Sequence, residues 1–215
     1  MSQRIICIGG GGHAVVVIDT LRTIAESSGA DFEIAGFTDP TYSAQPILGV
    51  PCIGTDAALS RLVHAMRLTH FMVAVGSISG GSVLRARLFA AGEAAGLEPF
   101  TAIHPSALVA GSALIGGGSV IMAGVVVQPR TKIGRNVIVN TRASIDHDCL
   151  IGDHVHVAPG AVLSGGVSLE NGCHVGAGAV VLQSLRVGQG ATVAGGATVV
   201  RSVGAGATVM GTPAR

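Results

Sequence analysis

Aliphatic residues recur at every sixth position through the C-terminal half of the chain. Counted in sixes from Ile103, the series Val109, Ile115, Ile121, Val127, Ile133, Val139, Ile145, Ile151, Val157, Leu163, Leu169, Val175, Val181, Val187, Val193 and Val199 is Val, Ile or Leu at all seventeen positions. A period of six fits neither the 3.6 of an amphipathic helix nor the alternation of an ordinary strand. Small residues (Ala107, Ala113, Ser119, Ala143, Cys149, Ala161, Cys173, Ala179, Ala191, Ala197) stand two places before many of these aliphatics. Gly116, Gly134 and Gly152 follow one place after them at intervals of eighteen, and Gly188 resumes the series after Glu170. Eighteen is three sixes. The solid that satisfies this is a triangular prism of three short strands per coil, with the aliphatics inward, the small residues at crowded corners and glycine supplying unusual backbone angles. The pattern predicts a parallel β-helix over about residues 103–200.

The first hundred residues follow a different pattern. An apolar strand, Arg4 to Gly9, runs into Gly9-Gly10-Gly11-Gly12-His13, and Ala14 to Leu21 opens a helix with an apolar face. A second strand, Phe32 to Phe37, ends at Thr38-Asp39-Pro40. A helix near Asp56–Met66, a strand His70–Val75 closing on Gly76-Ser77 and a helix of about Ser82–Ala95 complete the alternation. Alternating strands and helices predict a small parallel, Rossmann-like α/β sheet over residues 1–100, followed by the β-helix over 101–215. A glycine-rich turn at a helix start is a phosphate cradle in principle, because free backbone N–H groups there attract anions. As a dinucleotide fingerprint it is incomplete, since Asp39 lies too far along the chain and three βα units are too few. A tight turn without ligand is the competing reading. His13, odd in a plain turn, favours binding.

Composition narrows the function. Charged residues are 12% of the chain and the formal net charge is +1, so a nucleic-acid partner has no electrostatic support. Five Phe, one Tyr and no Trp leave the core to Val, Ile, Leu and Ala, which suits a narrow repetitive interior. Pro105 to Pro129 carries no charge but holds five glycines, and the six-residue repeat explains its apolar residues better than a membrane span does. The N-terminal apolar run is too short for a signal peptide, and four cysteines without CxxC spacing indicate free thiols in a cytoplasmic protein.

The densest polar cluster is Asn140-Thr141-Arg142-Ala143-Ser144-Ile145-Asp146-His147-Asp148, followed by Asp153-His154-Val155-His156. With Ile145 and Ile151 in register, residues 146–148 occupy a corner and face outward. A histidine beside a carboxylate on a rigid scaffold is a candidate general base, which puts His147 and Asp148 ahead of a reading as solvated corner polars. For His154 the solvated reading is preferred. Three converging imidazoles would suit zinc, but His147 and the His154/His156 pair fall on different sides of the prism, so no metal is expected.

These segments resemble the hexapeptide-repeat nucleotide-sugar acetyltransferases, a group including the UDP-4-amino-sugar acetyltransferases of bacillosamine synthesis, the GDP-perosamine N-acetyltransferases and the sialic acid O-acetyltransferases. The resemblance rests on GGGGH at 9–13, GFTD at 36–39, AVGS at 74–77, NTRASIDHD at 140–148, HVAPGAVLSGG at 156–166, AGGATVV at 194–200 and GTPAR at 211–215. It implies a left-handed β-helix, a homotrimer, acetyl-CoA in the groove between two prisms and a nucleotide sugar on the N-terminal domain. It implies further that His147 is the base with Asp148 beside it, that Asn140 and His156 line the sugar and acetyl pocket, and that the Gly165 amide holds the thioester oxyanion. Ala177 and Gly195 would touch CoA; Gly10, Gly12, His13, Asp39 and Gly76 would flank the nucleotide.

The expected activity is transfer of acetyl from acetyl-CoA to the amino group of a UDP- or GDP-linked 4-amino-4,6-dideoxy sugar, by direct attack and without a metal. The competing readings are a sialic acid-type O-acetyltransferase, a γ-type carbonic-anhydrase-like metal enzyme and a non-catalytic sugar-nucleotide sensor.

Overall fold

The computed structural model describes residues 3–41, 45–77 and 81–215. The alternating N-terminal pattern folds as β1 (Gln3–Ile8), α1 (Gly12–Ser28), β2 (Phe32–Thr38), β3 (Cys52–Gly54), α2 (Leu59–Met66), β4 (His70–Val73), α3 (Gly81–Ala94) and β5 (Glu98–Pro99). The five strands form one parallel sheet in the order β3-β2-β1-β4-β5. The sequence reading contained β1, β2, β4 and the three helices, but not the short edge strands β3 and β5. The chain moves outward from β1 to β2 and β3, then returns to the other side of β1 for β4. The ends of β1 and β4 therefore open a crevice, the place where open α/β sheets bind ligands.

From Ala102 onward every strand is a pair of residues, the second of them, up to Val199, the aliphatic of the six-residue series; the last strand, Thr208–Val209, lies out of step with it. These strands stack into three parallel sheets, the faces of a left-handed parallel β-helix. The first face runs from Ala102–Ile103 to Thr208–Val209, the second from Leu108–Val109 to Thr198–Val199 and the third from Leu114–Ile115 to Arg186–Val187. Register confirms the eighteen-residue coil, as in Ile138↔His156 and His156↔His174. The last turn is two residues shorter: Thr192 pairs with Thr208, and Val187 with Val203. The inward aliphatics and the small residues two places before them form one continuous core, in which Ala143, Cys149, Ala161 and Cys173 are fully buried.

The glycines one place after the aliphatics have a different cause from the one expected. A β-carbon on Gly116 would lie 2.5 Å from the Gly134 carbonyl oxygen, and one on Gly188 would lie 2.5 Å from the Ala205 nitrogen. Close approach of the next coil excludes a side chain there, not backbone angle. The left-handed backbone falls two places further on, at every sixth residue from Gly118 to Gly196, and Arg130, Asn136, Arg142, Asp148, His154 and Ser184 adopt it without being glycine.

The two units share a core. One side of the sheet and α1, with Val17, Ile18 and Leu21 fully buried, close on Ala102, Val120, Met122 and Ile138 of the first face. Burial of each large aliphatic contributes about 2 kcal/mol. On the other side of the sheet α2 and α3 pack with Leu62, Leu88 and Phe89. The sheet is thus held in a fixed position over one face and one edge of the prism.

Candidate active site

A cavity of about 410 Å³ lies at the crevice between the ends of β1 and β4. Its wall includes Gly9 to His13, Asp39, Pro40, Asp56, Ala74 to Gly76, Leu84, Arg87 and Leu88. All five residues expected to flank a nucleotide (Gly10, Gly12, His13, Asp39 and Gly76) are among them. The glycines differ in purpose. A β-carbon on Gly10 would lie 2.6 Å from Phe37 and 3.0 Å from the Asp39 Oδ2, whereas Gly11 and Gly12 face open space. The α1 N-terminus has no side-chain cap and no acid in its first turn, so its N–H groups and dipole are left for an anion. Asp39 is fixed by Thr41, whose N–H and hydroxyl donate to Oδ1 at 3.0 and 2.6 Å and hold the carboxyl below its ordinary range. Asp56 accepts from Thr38 at 2.5 Å. Sequence reasoning missed Asp56 and Arg87, because nothing in their local sequence shows that the segment after β3 and one side of α3 converge on the glycine turn.

From His13 on the cavity wall, a line of imidazoles leads to the prism. His13 and His156 have ring centroids 6.5 Å apart, and His156 and His174 are 5.0 Å apart on successive coils. His156 donates its Nδ1–H to the Ser77 carbonyl at 2.7 Å, which leaves Nε2 to accept from the Asn140 amide at 3.3 Å. Burial pulls His156 down to about 4 and His13 down to about 3, so both stay neutral near pH 7. Arg85 of α3 is fully buried beneath this region. It donates to the carbonyls of Val73 and Val75 and to the Asn136 carbonyl and side-chain oxygen, tying the loop after β4 to the prism. His154 is half-buried rather than freely solvated: it accepts from Asn136 at 2.9 Å and meets Phe89 edge-on at 5.9 Å, with the rest of the ring at the surface.

His147 and Asp148 stand at the corner between the second and third faces. Asp148 Oδ2 accepts the His147 Nδ1–H at 2.7 Å, which directs the Nε2 lone pair away from the carboxylate. Arg130, one coil earlier, clasps both oxygens of Asp148 at 2.6 Å. The guanidinium, and then the His147 bond, hold the Asp148 carboxyl far below the usual carboxylate range. Gly165 lies one coil after His147, and a β-carbon there would be 2.7 and 2.8 Å from the ring Cε1 and Nε2. The Gly165 N–H donates to no acceptor among the described residues.

The candidate residues thus lie along two edges of the prism. Asn140 stands at the corner between the first and second faces, where Ala177 and Gly195 also stack, the Gly195 β-carbon position 3.3 Å from the Ala177 carbonyl. His156 is on the first face. His147, Asp148 and Gly165 are at the next corner. One chain brings each group together but not the two groups to each other. Among the described residues no three His, Cys, Asp or Glu side chains converge as metal ligands. Cys149 and Cys173 are inward, and burial pushes both thiols up, Cys173 to about 11, so neither is an available nucleophile. No helix among the described residues is long and apolar enough to cross a membrane.

Known proteins share this fold. Residues 4–86 match the PglD N-terminal domain family, and residues 130–165 match the bacterial transferase hexapeptide family (six repeats). A GDP-perosamine N-acetyltransferase of Escherichia coli O157:H7 is 33% identical over 164 residues, 76% of this chain and 71% of that one. PerB of Caulobacter crescentus, solved in complex with CoA and GDP-perosamine, superposes with a TM-score of 0.89 at 36% identity, covering 98% of this chain and 95% of that one. The same relative has been solved with one histidine replaced by asparagine, again with CoA and GDP-perosamine. The acetyltransferase domain of PglB from Neisseria gonorrhoeae also gives a TM-score of 0.89, at 36% identity over 99% of this chain and 98% of that one. In sequence and in fold, this chain belongs to the hexapeptide-repeat family of acetyl-CoA-dependent nucleotide-sugar N-acetyltransferases.

Proposed function

We propose that this enzyme acetylates the amino group of a UDP- or GDP-linked 4-amino-4,6-dideoxy sugar by direct attack on acetyl-CoA, with His147 as general base. Residues 1–100 hold the nucleotide: the diphosphate takes the α1 N-terminus and Arg87, and the acids Asp39 and Asp56 take its hydroxyl or base donors. Residues 101–215 hold acetyl-CoA and carry the chemistry. The observation that carries the reading is the His147 corner, where an oriented imidazole lies against Gly165, whose N–H has no acceptor among the described residues.

The steps follow from those groups. The sugar ammonium first loses a proton, and its amine lone pair attacks the thioester carbonyl, forming the C–N bond. The Nε2 of His147 takes the amine proton as charge moves to the carbonyl oxygen, and the Gly165 N–H donates to that oxyanion. Collapse of the tetrahedral intermediate breaks the C–S bond, and the imidazolium returns its proton to the departing CoA sulfur. His156 is less suited to be the base. Its Nε2 is already engaged by Asn140 and its burial disfavours the cation, so it shapes the pocket for the sugar instead.

The separation of the two edges supports assembly as a homotrimer, in which the His147 edge of one protomer meets the Asn140–Gly195 edge and the nucleotide cavity of the next. Large apolar side chains left on the outer faces, Leu108, Leu114, Leu150 and Val162, are surfaces for that contact. The deciding experiment is a thiol-release assay with acetyl-CoA and a panel of UDP- and GDP-linked 3- and 4-amino sugars and their hydroxyl counterparts. Turnover confined to 4-amino sugars supports the reading. Turnover of hydroxyl acceptors alone would replace it with O-acetylation.

A further inference from the structure

The Arg130 side chain is 70% exposed, yet it engages both carboxylate oxygens of Asp148. It and Asp148 both stand in left-handed backbone at the same corner of successive coils, with φ of 63° and 60°. This places the guanidinium fork squarely on the carboxylate, with Nε and Nη2 each 2.6 Å from a different oxygen. The Arg130 backbone is fixed in turn, its N–H donating to the Ser112 hydroxyl at 3.2 Å. Asp148 Oδ2 then accepts from two sides, from Arg130 and from His147. An aspartate on an exposed corner otherwise turns freely about its side-chain torsions; here a bidentate partner removes that freedom.

From this geometry we infer that Arg130 is a positioning residue of the acetyl transfer, holding Asp148 in the one orientation that locks the His147 tautomer. The inference rests on His147 being the general base. The effect acts through Asp148. The clasp keeps Nδ1–H on the carboxylate and the lone pair on Nε2. The other groups facing this corner are Asp146, whose Oδ1 accepts the His147 backbone N–H at 2.7 Å, and on the next coil Gly165 and Gly166, which carry no charge.

The test is steady-state kinetics of the full-length enzyme, with kcat and both KM values read separately, for Arg130→Met, Arg130→Lys, Asp148→Asn, the Arg130→Met/Asp148→Asn double variant and His147→Asn. Arg130→Met lowers kcat about tenfold with both KM values unchanged. Arg130→Lys keeps the charge and loses the fork, so it restores only part of that loss. Because the arginine acts through Asp148, Arg130→Met costs nothing further in the Asp148→Asn background. A loss that persists in full in that background, or that falls on KM alone, overturns the inference, because a merely structural arginine would act independently of the carboxylate. His147→Asn separates the two levels. If it retains wild-type turnover, the base assignment fails and the clasp with it; if it is inactive while the Arg130 and Asp148 losses simply add, only the clasp fails.

Discussion

His147→Asn keeps a polar side chain of similar reach at an exposed corner, so the fold should survive. Loss of a general base should lower kcat by about 10²–10⁴, with KM for both substrates little changed. Asp148→Asn should cost less, because the imidazole remains but its tautomer is no longer held. Steady-state kinetics with both substrates varied reads the two effects separately. The histidine–aspartate pair was legible in the sequence because its members are adjacent and the rest of the prism carries so few charges. Arg130 was not singled out, although opposite charges eighteen residues apart are a signal in a chain whose coil is eighteen long. The same spacing relates Arg135 to Asp153, whose side chain accepts the Arg135 backbone N–H at 2.7 Å. Asp56 and Arg87 had no such rule to reveal them, since they reach the cavity through tertiary packing of non-repeating elements.

Among elements, the glycine turn before α1 separates folding from binding. Gly10→Ala should destabilise the enzyme, because a β-carbon would lie 2.6 Å from the buried Phe37 ring. In Gly12→Leu the new β-carbon has nothing of the protein within 4 Å, and the side chain extends from the cavity wall. It should leave the urea midpoint unchanged and raise the KM for the nucleotide sugar at least tenfold, with little change for acetyl-CoA; equal effects on both would mean that the nucleotide lies elsewhere. The seam between sheet and prism carries its own pH dependence. His13 and His156 bind protons less readily folded, down to about 3 and about 4, than in an unfolded chain near 6.5. Their contribution is therefore intact above about pH 6.5 and is lost as pH falls toward 4. Urea midpoints should drop across that interval, and the drop should shrink in a His13→Gln variant. The six-residue period marked every prism strand up to Thr198–Val199, because each inward aliphatic marks one; the last, Thr208–Val209, falls out of step after the shortened turn. The strands β3 and β5 escaped because they are two or three residues long, lie at sheet edges and adjoin Pro51 or include Pro99. The glycine series at 116, 134 and 152 was legible as a pattern, but its cause was not: coil-to-coil distance is invisible in one dimension.

At the scale of the whole molecule, the account requires more than one chain. The cavity proposed for the nucleotide lies in the unit that packs on the first face of the prism, where His156 also stands, and the proposed base, His147, stands one corner away from Asn140. The enzyme should scatter light as a trimer, and disrupting the outer apolar surface, as in Leu108→Asp, should reduce activity together with assembly. The sharing of one site by two protomers is tested most directly by subunit mixing. His147→Asn and Gly12→Leu enzymes, each nearly inactive at low nucleotide-sugar concentration, are unfolded together in equal amounts, refolded and assayed. If each site takes His147 from one protomer and the glycine turn from its neighbour, about a quarter of the sites in a random mixture recover both intact halves. Activity should return to about that fraction of wild type. A mixture as inactive as its two parents, with trimers exchanged and folded, would show that each chain builds its site alone and would contradict the account.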